Sequence, residues 1–173
     1  ATLVSFNKAG LDEQVYKNVA MQVAAMNPIA VDECDVAEEI KEKEIAVAIE
    51  KTKAEQVQKA VEAALKKAGI NPAHVDSEDH MESNKAKGWI TQEDVDKAKE
   101  IIATVSAEKA ANLPEAMIQN IAKGRLGKFL KEVCLLNQED VTGEDKKTVR
   151  ETLKAIDAEL SVIAFKRVNL NVD

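Results

Sequence analysis

The chain has 173 residues, 45% of them hydrophobic and 32% charged, with a net charge of −7 at neutral pH; that is enough for one domain with a real core, or for one domain plus an appendage. The acidic balance argues against a nucleic-acid surface, which needs clustered positive charge, and no apolar run approaches the roughly 20 residues of a membrane span. Two cysteines, Cys34 and Cys134, are too few for a disulfide framework, so a reducing, cytoplasmic setting is expected.

"TLVSFNK" alternates apolar and polar residues and reads as a strand. It opens at Ala1 with no initiator Met, as a chain cut from a longer protein would. Asp12 then caps a helix whose apolar face is Val15, Val19, Val23 and Met26. Asn27-Pro28 ends that helix, because the residue before a proline avoids the helical region. "IAV" follows as a short buried strand or an extended link.

From Val36 to Ala68 the chain is rich in Lys, Glu and Ala and free of Gly and Pro. Ile40, Val47, Ala54, Val61 and Ala68 fall seven apart, with Val57 and Ala64 between the later ones, a thin seam suited to two-helix packing. A continuous helix of that length would run roughly 50 Å. Gly69 is its natural C-cap, and Pro72 forbids continuation. Residues 69–89 are polar and read as an irregular tip.

Thr91 opens a second helix with Glu93 and Asp94 in its first turn. Val95, Ala98, Ile102, Val105 and Lys109 give it a heptad seam that can return along the first. Pro114 suits the start of a further helix, on which Ile118, Ala122, Leu126, Phe129, Leu130 and Val133 make one apolar face. Lys123, Arg125, Lys128 and Lys131 lie toward the other side, and Gly124 and Gly127 suggest a close backbone approach or a kink. Thr148 with Glu151 spells a capping box, and "ELSVIAFKRVNLNV" closes the chain as a strand buried partly on both faces.

The expected fold is α+β: a small antiparallel sheet packed with helices, and a long projecting antiparallel helical hairpin. Residues 1–35 and 113–173 form the core subdomain, and 36–112 form the hairpin.

Catalytic chemistry finds little support. His74 and His80 lie near Asp76, Glu78 and Asp79, but no recurring ligand spacing and no nearby cysteine make a metal site, so a solvated loop is expected. Cys134 sits on an apolar face without a local base, and Cys34 has no evident partner. "KGRLGK" lacks the Lys-Ser/Thr of a phosphate loop and sits inside a helix pattern. No enzyme, metal or cofactor is expected. The basic face at 123–131 is a solvated face or a partner contact.

Three stretches, "VAMQVAAMNPIAVDE", "NLPEAMIQNIAKGRLGKFLKEVCLLNQ" and "KKTVRETL", resemble the elongation factor Ts family in their order and spacing. The likeness covers essentially the whole chain and corresponds to the C-terminal half of that family. Its most specific part runs through Pro114, Glu115, Ile118, Gly124, Arg125, Lys128, Phe129, Glu132, Leu135, Leu136 and Gln138. The hairpin falls where the family carries its coiled-coil dimerisation insert.

This resemblance implies a protein that binds GDP-bound elongation factor Tu and speeds GDP release without covalent chemistry. The half matched here is the one that grips the partner's third domain. Carried over residue by residue, the partner-binding positions are Asn18 and Gln22, where many relatives have histidine, and Val141 and Thr142, matching the hydrophobic pair of the loop. Glu139-Asp140 stands where relatives often show Pro-Phe. The family's amino-terminal helical module and its Thr-Asp-Phe-Val wedge find no match in these residues. The resemblance therefore implies weak binding with poor exchange, and a scaffolding role for the basic face. The second reading is a coiled-coil module, a homodimer through the hairpin without exchange activity. Neither reading involves nucleic acid or a membrane.

Overall fold

The computed structural model describes residues 1–170. It is α+β, with six α-helices and one antiparallel pair of strands among the described residues. By its contacts the chain forms two compact units, Ala1–Ile45 with Gly124–Asp173, and Ala46–Lys123.

In the first unit, β1 (Thr2–Phe6) pairs with β2 (Val162–Arg167), with Val4 opposite Phe165 and Ser5 opposite Ala164. The register then slips, so that Phe6 faces Val162 and Ile163 is the extra residue. This bulge has a packing consequence. Val162 and Phe165 are three apart, so in a regular strand they would point to opposite faces. With the slip, both join Val4 and Phe6 against the core, and Ile163 is left exposed. The closing strand is thus buried on one face, not two. Its expected last positions, Asn171 and Val172, lie outside the described residues.

Helix α1 (Glu13–Met26) starts at Asp12, whose carboxylate accepts from the Gln14 amide. It ends at Asn27, which takes a left-handed conformation ahead of Pro28. Its buried residues are Val19, Gln22 and Val23. Met26, expected on that face, is exposed. The 29–31 link makes a single parallel bridge at Ala30 to Cys134, with Leu135 and Leu136 donating to the carbonyls of Ala30 and Val31. Leu130 near the end of helix α5 (Glu115–Val133) and Cys134 just after it form a small cluster with Ala30 and Val36. Helix α6 (Val149–Ile156) carries the Thr148–Glu151 capping box and buries Val149 and Leu153 against Val19, Val23, Leu135 and Leu136.

Gly124 and Gly127 do not mark a close approach. A Cβ on either would meet nothing within 4 Å, and α5 runs through them without a break. Lys123, Lys128 and Lys131 are exposed on it and Arg125 is half-buried.

In the second unit, α2 (Glu38–Lys67) from Ala46 onward and α4 (Gln92–Ala111) run antiparallel. Leu65 near the end of α2 clusters with Val95 and Ala98 near the start of α4, and Ile49 and Ala54 line a groove with Ala110 and Leu113. The seam of α4 follows the sequence reading. That of α2 is displaced by one position in its first half: Ala48 and Thr52 are buried, while Val47 is 61% exposed. Residues 69–89 are not wholly irregular. Ser77 caps a short helix, α3 (Glu78–Ala86), accepting from the His80 amide, and Met81 and Ile90 complete the cluster around Leu65. Gly69 takes φ +79°, the left-handed geometry expected of a C′ glycine.

Candidate partner-binding site

Three of the four expected site residues meet in one place within the first unit. Asn18 and Gln22 sit one turn apart on α1, and Thr142 comes from the loop between Gln138 and Thr148. Together with Val15, Val19, Asp140, Val149, Thr152, Leu153 and Ile156 they line a cleft of about 40 Å³ between α1 and α6. That holds the tip of one side chain. Val141 lies on the rim beside Asp140 and is 51% exposed. Ile156 at the far wall is 49% exposed.

The loop is fixed from both ends. The Asp140 amide donates to the Lys147 carbonyl at 2.8 Å, and the Val149 amide to the Gln138 carbonyl at 2.9 Å. Glu139 and Thr148 form an antiparallel bridge. Inside the loop, Asp140 Oδ1 accepts from the amide of Thr142 at 2.8 Å and from its hydroxyl at 2.6 Å. Burial pushes the Asp140 carboxyl up. The bonds from Thr142, from the Thr152 hydroxyl and from the Gly143 amide outweigh that and hold it below its ordinary value. Asp140 therefore ties the loop to α6 in its ionised form.

The four residues play unlike parts in this geometry. Val141 is presented to solvent, and Thr142 and Asn18 are half-buried in the cleft wall. Gln22 is 1% exposed and lies beneath the loop. Asn18 accepts through Oδ1 from Gln14 Nε2 at 2.7 Å on its own helix.

Asp140, Thr152 and Ile156 line the same cleft, and sequence reasoning did not place them there. Asp140-Val141-Thr142 did carry a signal, since Asp two residues before Thr is an Asx-turn pattern. Ile156 carried none.

Elsewhere, His80 Nδ1 contacts Asp76, and the His74 ring lies 5.6 Å from that of Trp89. Among the described residues no group of three His, Cys, Asp or Glu could hold a metal ion. No described helix is long and apolar enough to cross a membrane. Cys134 is buried, and that burial, with the Glu33, Asp32 and Asp35 carboxylates nearby, pushes its thiol up to about 11, far from a nucleophile's range.

The cleft is small and mostly apolar, and the loop beside it is clamped at both ends and exposes the Val141 side chain. The family model for elongation factor TS matches residues 1–69 and 45–171. The elongation factors Ts of Bacteroides thetaiotaomicron and Bacteroides fragilis are each 77% identical over 172 residues, 99% of this chain and 52% of theirs. That of Flavobacterium psychrophilum is 33% identical over 171 residues, 98% of this chain and 42% of its own length. The chain belongs to the elongation factor Ts family, and it spans about half the length of the Bacteroides relatives it matches.

Proposed function

We propose that this chain is the gripping part of a cytoplasmic translation elongation factor that binds elongation factor Tu and promotes GDP release. Family membership supports this reading, and so does one structural observation. Asn18 and Thr142, 124 residues apart by subtraction of their numbers, line the same cleft, and Val141 stands exposed at its edge. The docking face is then the α1–α6 cleft with the 139–147 loop, and Val141 and Ile156 are its apolar contacts. Exchange comes from elsewhere: the 173 residues contain no Thr-Asp-Phe-Val sequence, so this chain alone holds the partner without wedging its nucleotide site.

In this reading residues 36–112 are the family's helical insert. The return seam of that insert supports the gripping role over self-association, since Val95 and Ala98 already pack within their own unit, with Ile101 and Ile102 against them.

GDP release from elongation factor Tu, followed with a fluorescent nucleotide beside a binding titration, tests the proposal. The expected result is saturable binding with little acceleration of release. No binding overturns the docking reading. Strong acceleration overturns the assignment of exchange to another segment.

A further inference from the structure

Gln22 is buried, yet every polar atom of its amide is engaged by the loop. Nε2 donates to the Glu139 carbonyl at 3.1 Å and to Gln138 Oε1 at 3.2 Å. Oε1 accepts from the Val141 amide at 2.9 Å. Gln138, also buried, donates in turn through Nε2 to the Glu132 carbonyl at 2.8 Å. That carbonyl lies in the last turn of α5, where no partner exists within the helix. A continuous run of amide hydrogen bonds therefore leads from the end of α5, across α1, to the backbone of the loop.

The chemistry at position 22 selects a side chain that donates and accepts at once, as a primary amide does. The group must donate to one backbone carbonyl and accept from one backbone N–H within the same loop. A Leu or Met of similar size does neither, and leaves the Glu139 carbonyl, the Val141 N–H and Gln138 Oε1 without this partner. A Glu accepts from Val141 but opposes the Glu139 carbonyl.

We propose that Gln22 is a positioning residue of the docking surface: it touches no partner atom, and acts by fixing the backbone at 139–141 so that Val141 is presented, with Gln138 as its anchor to α5. The proposal rests on the docking reading above and refines it. A residue at the heart of the site works from beneath, while the contact is made by its neighbours.

Two measurements on the 173-residue chain test this. The first is amide hydrogen exchange. In the wild-type chain the Val141 amide, although its side chain is exposed, should exchange at least about 100-fold slower than in an unstructured chain, since a buried acceptor holds it. An unprotected Val141 amide overturns the proposal without any variant. In Gln22→Met that amide should exchange at least about tenfold faster than in wild type, with Leu135 and Leu136 changed by no more than about twofold.

The second is a double-mutant cycle on the affinity for GDP-bound elongation factor Tu. Gln22→Met should weaken binding about fivefold in the wild-type background. It should weaken it by no more than about twofold when Val141 is already alanine. Fully multiplicative losses would mean that Gln22 contacts the partner itself, and overturn the proposal. Should the wild-type chain not bind at all, the docking reading fails by itself, and exchange at Val141 still decides whether Gln22 holds the loop.

Discussion

Thr148 is the residue on which both α6 and the loop beside the cleft depend. Its hydroxyl accepts from the Glu151 amide at 3.2 Å, and its own amide donates to Glu151 Oε2 at 2.8 Å. It also forms the bridge to Glu139 that closes the loop. Helix α6 has only eight residues, well short of the roughly 12–15 that an isolated helix needs. Val149 and Leu153 hold it to the core from one side, and the cap holds its first turn.

Thr148→Ala removes one capping acceptor while the Thr148 amide keeps its carboxylate. The expected loss is about 1 kcal/mol. Urea unfolding followed by circular dichroism reads the global effect. Exchange of the Thr152 amide, which donates to the Thr148 carbonyl, reads the local one and should quicken about fivefold for that free energy. Thr148→Ser keeps the acceptor and should stay within about 0.3 kcal/mol of wild type. The reasoning is refuted if the alanine variant matches wild type in both readouts. It is equally refuted if serine is as harmful as alanine, since the methyl group and not the cap would then be what counts.

Acid should weaken the chain over a defined window. Glu151 is held below its ordinary value by the Thr148 amide and hydroxyl, Asp94 by the Thr91 amide and hydroxyl, and Asp157 by Lys8. Asp140 is held low as well, by bonds that outweigh its burial. Each contributes stability that is fully present above the ordinary carboxylate range and lost as pH falls through the lowered native value. The melting temperature should therefore be level near neutrality and drop below about pH 4; a flat profile to pH 3 contradicts it. Cys34 is exposed and Cys134 buried. A thiol reagent at pH 8 should therefore label one cysteine quickly in the native chain and both in denaturant, and rapid labelling of two would contradict the burial of Cys134. Gly69→Ala forces a side chain into the left-handed region at φ +79° and should destabilise the second unit by about 1 kcal/mol, seen as an earlier Trp89 fluorescence transition in urea. An unshifted transition would mean that the C-cap geometry relaxes without cost.

The caps and ends of the helices were legible in the sequence because they depend on neighbours three or four residues away. Asp12, Thr91, Thr148 and Gly69 all stand where local hydrogen bonding puts them. The apolar face of α5 was legible for the same reason, and so was the family, which is carried by the order of residues from Pro114 to Gln138. The α3 helix was only half legible: Ser77 with its acidic first turn was a cap signal, but the single apolar residue Met81 gave no period to confirm it.

Contacts between distant segments decided the rest. The phase of α2 depends on which side its partner approaches, and with alanine at so many of its positions hydrophobicity alone did not choose between Val47 and Ala48. The bulge at Ile163 exists because β2 must match the register of β1, more than 150 positions earlier by subtraction of their numbers, and no pattern within β2 encodes that match. On a helical wheel Gln22 falls beside Val15 and Met26, on the apolar face of α1, and only its polarity reads as a surface residue. It is buried because a loop some 117 residues later lays its backbone over it, and a primary amide can donate to and accept from that backbone at once. Sequence determines where a helix starts and which face is apolar, since those are questions of local hydrogen bonding and period. Which polar side chain ends up beneath another segment is settled only when that segment arrives.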